Sequence, residues 1–328
     1  MVEPRAILVT GFGNSGVTAV MNLLDECEGY TCPAQEFFLI QHPDGITALE
    51  DALVNSWSEF APDWAIRRYR TLVDVLARPP TRFRFGLDYE KHFCRDFRQL
   101  ALAYADRLTG IRYEGHLMFR RSEMGRAEYF AYNMAQRFKV EPVKTYFARK
   151  YDTAFVPDPT RFMTHTKELM GSLMRSIGSA KRASNVALCL GASPYQVVRS
   201  SRYFPSTCAT VIVDRDPRDI YLSAKTSSYM PREVGPFIEW YKSTRANSWQ
   251  GGEGKAIKIM FEDLVVNYEK SLDALFRFLE IDPAQHTRKG KVLEPKASAK
   301  RIAKWKSHPE QGEIRRIEAE LTEYLWNG

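Results

Sequence analysis

Glycines at positions 11, 13 and 16, followed by Val17 and Thr18, make the first stretch of this chain whose residue types suit chemistry. Glycine lets the backbone fold tightly and turn successive N–H groups toward one point, where a following helix adds positive potential. A phosphate fits such a point. Two patterns overlap in Ile7-Leu8-Val9-Thr10-Gly11-Phe12-Gly13-Asn14-Ser15-Gly16-Val17-Thr18. Gly11, Gly13 and Gly16 satisfy the dinucleotide fingerprint GxGxxG, while Gly11 to Thr18 is a P-loop in which valine replaces lysine. The dinucleotide pattern needs a second strand ending in an acidic residue about 20 positions onward. Glu28-Gly29-Tyr30-Thr31-Cys32-Pro33 reads as a loop instead. The kinase pattern needs the lysine that meets the transferred phosphate. By itself the turn admits a dinucleotide, a nucleoside triphosphate or no ligand.

Val211-Ile212-Val213-Asp214-Arg215-Asp216-Pro217-Arg218-Asp219-Ile220-Tyr221-Leu222-Ser223 is a second passage from strand to helix, with Pro217 suited to the first helical turn. Arg215 falls at the carboxyl end of the strand and Ser223 about two helical turns later. A guanidinium beside a hydroxyl can grip a second phosphate by charge-assisted hydrogen bonds. Asp216, Arg218 and Asp219 read individually as a ladder capping the helix.

These turns require a frame of strands and helices. Strands are expected at Ala6–Thr10, Asn185–Leu190, Ala209–Asp214 and Ala256–Phe261, each followed by a helical pattern. Such alternation predicts an α/β fold with a parallel sheet flanked by helices. From about Ile46 to Gly178 the pattern is mainly helical, with one further strand at Tyr113–Phe119. Its clearest stripe is Tyr89, Phe93, Phe97, Leu100 and Tyr104, a spacing that packing explains better than a cofactor. A last helix is expected from Gln311 to Leu325. The absence of repeats and long linkers favours one domain over residues 1–328, with residues 46–178 as a large insertion.

Composition narrows the class without choosing a ligand. The chain is 328 residues long and 44% hydrophobic, enough for a substantial core. No apolar run approaches the roughly 20 residues a bilayer requires, and the N-terminus lacks a signal-peptide pattern, so a cytoplasmic protein is expected. Cys27, Cys32, Cys94, Cys189 and Cys208 are scattered without zinc spacing and read as reduced structural thiols. The net charge of +7 attracts anions of any kind. Basic residues interleave with acidic ones, so no nucleic-acid arm is expected.

With Arg215 and Ser223 placed, the sequence resembles the sulfotransferase superfamily that uses 3′-phosphoadenosine 5′-phosphosulfate (PAPS). The resemblance rests on Asn14-Ser15-Gly16-Val17-Thr18 and on Arg215 to Ser223 preceded by Tyr203-Phe204-Pro205. It continues through Phe261-Glu262-Asp263-Leu264 and Phe278-Leu279, and ends with Ser298, Arg301, Trp305 and Lys306 at the family's spacing. It implies a P-loop-like fold in which Gly13, Asn14, Ser15, Gly16, Val17 and Thr18 take the 5′-phosphosulfate. Arg215 and Ser223 take the 3′-phosphate, and Arg301 and Lys304 close over the nucleotide. Glu36, in Pro33-Ala34-Gln35-Glu36-Phe37-Phe38, is the implied catalytic base, with His42 and His92 as alternatives; His116 reads as a core histidine and Trp305 as packing. The implied product is adenosine 3′,5′-bisphosphate, with no metal or redox cofactor. The implied acceptor is a hydroxyl on a carbohydrate or glycolipid, reached by peripheral contact with a membrane-bound glycan; Trp57, Trp64, Arg67, Arg68 and Tyr69 could line the sugar site.

Two departures stand out: Asn14 replaces a basic residue, and Ala192 replaces a lysine ahead of Ser193-Pro194. They keep two rivals open. One is a P-loop kinase using ATP and magnesium held by Asp214; the other is a nucleotide-binding protein without catalysis.

Overall fold

The computed structural model describes residues 4–115, 120–138, 149–153, 157–191, 194–206, 208–251 and 255–328. The buried run Ala6 to Val9 gives β1 (Arg5–Gly11), which passes through the glycine turn into helix α1 (Val17–Asp25) and then β2 (Tyr30–Thr31). Helices at Ala61–Ala77, Phe97–Leu108, Arg126–Arg137 and Pro159–Lys181 follow. Between them β3 (Ile111–Gly115) pairs antiparallel with β4 (Arg149–Thr153). The chain then returns through β5 (Asn185–Cys189), β6 (Ala209–Asp214) and β7 (Lys255–Met260).

The main sheet is parallel throughout, in the order β2-β5-β1-β6-β7. Alternate residues of β1 feed opposite faces, as strand geometry requires. Ala6 and Leu8 pack with Phe37, Tyr69, Tyr89, Phe97 and Met170 on one side. Ile7 and Val9 pack with Val20, Leu24, Val213, Leu275 and Leu279 on the other. A third cluster joins the helices Pro217–Thr226, Val234–Ala246 and Gln311–Glu320 through Tyr221, Phe237, Tyr241 and Ile317.

The expected α/β sheet is therefore present, with four of its strands within one residue of their expected ends. The fifth is a correction. Tyr30–Thr31, a loop by its sequence, pairs with Asn185 and Val186 at the sheet edge, and two residues are too few to show a period. The insertion's strand begins earlier than expected, at Ile111; residues 116–119, with His116, lie outside the described residues, as do Ala192 and Ser193. Tyr89, Phe93, Phe97 and Tyr104 are buried as core, but the helix breaks between His92 and Phe97. The last helix stops at Glu320 and is followed by a short turn of tighter helix at Thr322–Tyr324. No helix among the described residues is long and apolar enough to cross a membrane.

Candidate functional site

All five strands of the sheet end, at their carboxyl termini, around one cleft of about 1380 Å³. Ligand sites form in open parallel sheets at this place, where neighbouring connections leave in opposite directions. The walls come from Gly13 to Thr18 after β1, Glu36 after β2, Cys189 to Gly191 at β5, Arg215 after β6 and Phe261 after β7. Ser223, Arg301 and Lys304 line it too. The cleft thus gathers every proposed donor-binding residue and one of the three candidate bases.

The first turn owes its shape to missing side chains. A Cβ on Gly11 would lie 2.4 Å from Ser15 Oγ and 2.5 Å from the Val213 carbonyl. Gly16 has φ 95°, and a Cβ there would lie 2.4 Å from the Phe261 ring. Ser15 Oγ is buried with no hydrogen-bond partner, which leaves a donor ready for an anionic oxygen. Asn14 also has a left-handed backbone, φ 59°, a conformation asparagine tolerates better than lysine does. The Tyr229 hydroxyl donates to Asn14 Oδ1 at 2.8 Å, leaving the amide N–H groups without a partner among the described residues.

The second turn is built from charge. Arg215 donates to the Asn14 carbonyl at 3.2 Å and the Arg301 carbonyl at 2.6 Å, bridging the first turn to the C-terminal segment. Its Nε is buried with no hydrogen-bond partner and faces Glu262 in an ion pair at 3.9 Å. Ser223 donates within its helix to the Asp219 carbonyl at 3.2 Å. Asp219 accepts the Ala303 N–H at 2.8 Å, and burial raises its pKa. Glu262 is fully buried, accepts the Asp216 N–H at 3.1 Å, and burial pushes its carboxyl up to about 7. Asp216 caps the following helix and holds Arg218, which lies over the Trp305 ring at 3.8 Å. Asp216 and Arg218 form the expected cap and Trp305 packs as expected, whereas Asp219, expected in the same ladder, instead holds the Ala303 N–H and lines the cleft.

Asp214, the residue a magnesium-dependent kinase would need, is held by Arg245 at 2.7 Å and Lys258 at 3.4 Å. Those two cations occupy the carboxylate that the metal would require. Arg245 is itself sandwiched between Phe12 at 3.7 Å and Tyr241 at 3.5 Å, so the residue that braces the first turn is also the one that neutralises Asp214.

Glu36 is exposed as a residue, yet its carboxyl lies against Gly191, where a Cβ would come within 2.8 Å of Oε2. Loss of water there raises its pKa and makes it a stronger base. Its loop is fixed by the Phe37 N–H, which donates to the Cys189 carbonyl at 2.6 Å. Tyr89 completes the clamp: its hydroxyl donates to the Glu36 carbonyl and accepts the Phe38 N–H. His42 instead accepts the Asp44 N–H at 3.0 Å in its own turn, and neither it nor His92 lines the cleft.

Sequence reasoning did not single out Tyr89, Tyr229, Glu262, Arg245 or Glu26 for these supporting roles. Buried Glu26 accepts His286 Nε2 at 2.7 Å and the Val292 and Leu293 N–H groups at 2.8 Å each. Burial works against its ionised form, but these donors outweigh burial and lower its pKa. They pin the segment that carries Leu293, Ser298, Arg301 and Lys304 along the cleft. Only a spatial contact reveals such a residue; no local spacing announces it.

The sequence matches no protein-family model and no curated protein. Among solved structures, the chain is similar to the sulfotransferase domain from the Synechococcus PCC 7002 olefin synthase, at 14% identity and TM-score 0.41, covering 96% of this chain and 94% of that one. It is similar to the sulfotransferase domain from the curacin biosynthetic pathway at 12% identity and TM-score 0.41, covering 98% and 99%. A third is sulfotransferase STF1 from Mycobacterium tuberculosis H37Rv, at 12% identity and TM-score 0.35, covering 92% and 77%.

Proposed function

We propose that the protein transfers a sulfuryl group from PAPS to an acceptor hydroxyl. The observation that carries this reading is the meeting, in one cleft, of a glycine turn with an unpaired Ser15 hydroxyl, the Arg215 and Ser223 pair, and Glu36. Two anion grips on either side of a nucleotide-sized space suit a donor phosphorylated at both ends of its ribose.

Backbone N–H groups of the Gly13 to Thr18 turn, other than that of Ser15, which donates to the Phe12 carbonyl, hold the 5′-phosphosulfate with the Ser15 and Thr18 hydroxyls. Arg215 and the Ser223 hydroxyl take the 3′-phosphate, and Arg301 and Lys304 cover the nucleotide. Glu36 accepts the proton of the acceptor hydroxyl as its oxygen bonds to sulfur. The bond from sulfur to the bridging phosphate oxygen breaks, and its electron pair leaves with adenosine 3′,5′-bisphosphate. The moving sulfuryl group spreads negative charge over its oxygens, which preorganised donors stabilise. The Asn14 amide, fixed by Tyr229, and Lys304 serve this end where a basic residue is missing from the loop.

Residues 1–328 form one domain in this reading, and the insertion at 46–178 supplies the acceptor side. Tyr89 and the packing of Phe38 onto the insertion's core support that arrangement. The acceptor is a saccharide hydroxyl, a choice that rests on the sequence context of Glu36 and on the helical insertion. A screen of extracted glycans with PAPS, read by the mass of one added SO3, tests it.

Calorimetry with adenosine 3′,5′-bisphosphate, ATP and NAD tests the donor. Binding of the bisphosphate alone is expected; tight binding of ATP or NAD without it would overturn the reading. Glu36→Gln should retain bisphosphate affinity and lower turnover by about 10²- to 10⁴-fold, the range for loss of a general base. Unchanged turnover would remove Glu36 from the mechanism.

A further inference from the structure

The segment Pro79-Pro80-Thr81-Arg82-Phe83-Arg84-Phe85 leaves the helix Ala61–Ala77 and contributes nothing to the cleft. Every residue in it is exposed, Phe83 at 93% and Phe85 at 67%. Two neighbouring phenylalanines in water are unfavourable unless something covers them.

Their exposure is built in. The Thr81 N–H donates to the Arg84 carbonyl at 2.9 Å, and the Arg84 N–H returns to Thr81 at 3.4 Å, closing a tight hairpin. At its base Arg78 Nε donates to the Phe85 carbonyl at 2.6 Å, and the Asp88 N–H donates to the Arg78 carbonyl at 2.9 Å. Gly86 packs so closely there that a Cβ would lie 2.2 Å from the Arg78 carbonyl. Pro79 and Pro80 stiffen the entry. The hairpin also carries a single sign of charge. No acidic residue stands between Asp74 and Asp88, and neither Arg82 nor Arg84 has a carboxylate partner among the described residues.

We propose that this hairpin is a membrane-surface anchor, placing Phe83 and Phe85 at the headgroup boundary of an anionic bilayer while Arg82 and Arg84 meet lipid phosphates. Phenylalanine and arginine divide the interface in that way, ring inward and guanidinium outward. Charge complementarity selects anionic lipid. Size argues for a bilayer over a protein: one short hairpin offers two exposed rings, whereas a stable protein interface needs about 800 Å² from each partner. The proposal is independent of the chemistry in the cleft.

Vesicle sedimentation with the full chain tests it. The protein should pellet with phosphatidylcholine vesicles containing phosphatidylserine, remain in solution with phosphatidylcholine alone, and be released by salt. F83A/F85A should weaken binding at least about tenfold, and R82Q/R84Q about thirtyfold. These side chains are exposed, so neither variant should shift the melting temperature, and sulfuryl transfer to a soluble acceptor should be unchanged. Trp emission of Phe83→Trp should move to the blue on adding the anionic vesicles. Failure of the wild type to pellet, full binding by F83A/F85A, or an unshifted Trp would overturn the proposal. Binding to polyglutamate without binding to vesicles would overturn it in favour of an acidic protein partner.

Discussion

The turns after β1 and β6 occupy equivalent places in the sheet and are made of opposite materials. Gly11 to Thr18 contains no charged residue, and its form depends on the space that three glycines leave open. Asp214 to Asp219 buries a run of charges, each no more than 8% exposed, with Arg245 and Glu262 packed against them. Steric fit fixes the first turn and electrostatic balance fixes the second. One should therefore fail when something is added, the other when something is taken away or titrated.

The largest effect belongs to Arg215. Arg215→Ala leaves Asp219 and Glu262 without their nearest cation and should cost about 3–5 kcal/mol of stability. It should also abolish measurable bisphosphate binding by calorimetry, while Arg215→Lys recovers stability better than binding. Equal recovery of both would reduce the residue to a brace. Next comes Glu262. Its carboxyl, raised by burial from an ordinary 4.5 to about 7, keeps its proton more readily folded than unfolded, so stability should fall as pH rises between those values. Urea unfolding across that range should show a decline of about 3 kcal/mol. Glu262→Gln should flatten the curve; a persistent slope would point to Asp219, which burial raises as well.

The first turn should respond to size and not to pH. Gly16→Ala combines a positive φ with a close approach to Phe261 and should cost about 2 kcal/mol or more, with no change in the pH profile. An undiminished melting temperature would show that steric fit does not govern this turn. The smallest effect is that of Tyr229→Phe, which removes the hydroxyl holding Asn14. Stability should change by less than about 1 kcal/mol, because Tyr229 is 64% exposed. A fall in kcat with KM for the donor unchanged would mark Tyr229 as a positioning residue, and a fall in stability alone would remove it from the chemistry.

The same contrast explains what the sequence disclosed. Glycine spacing and β-branched runs are local signals, so the first turn and the strands beside it could be read within one residue of their ends. Arg215 and Ser223 lie on one short segment and could be read as a pair. The charges that set the second turn come from Glu262 and Arg245, far along the chain and unmarked by any period. Tyr30–Thr31 escaped for a related reason: an edge strand of two residues is defined by its partner, β5, and not by its own composition. Glu36 was placed through family resemblance; the Tyr89 clamp that fixes its loop emerged only in three dimensions.

The strand of chain from Val292 to Ala303 is fastened at both ends. Glu26 holds the Val292 and Leu293 amides, while Arg215 and Asp219 hold Arg301 and Ala303. It runs along the cleft like a belt with two buckles, one at Glu26 after the first helix and one at Arg215 and Asp219. Under the proposed function, a nucleotide that tightened the second buckle would, by thermodynamic reciprocity, bind more strongly to the intact belt by the same factor. Protease resistance of the C-terminal segment would then gauge occupancy of the cleft.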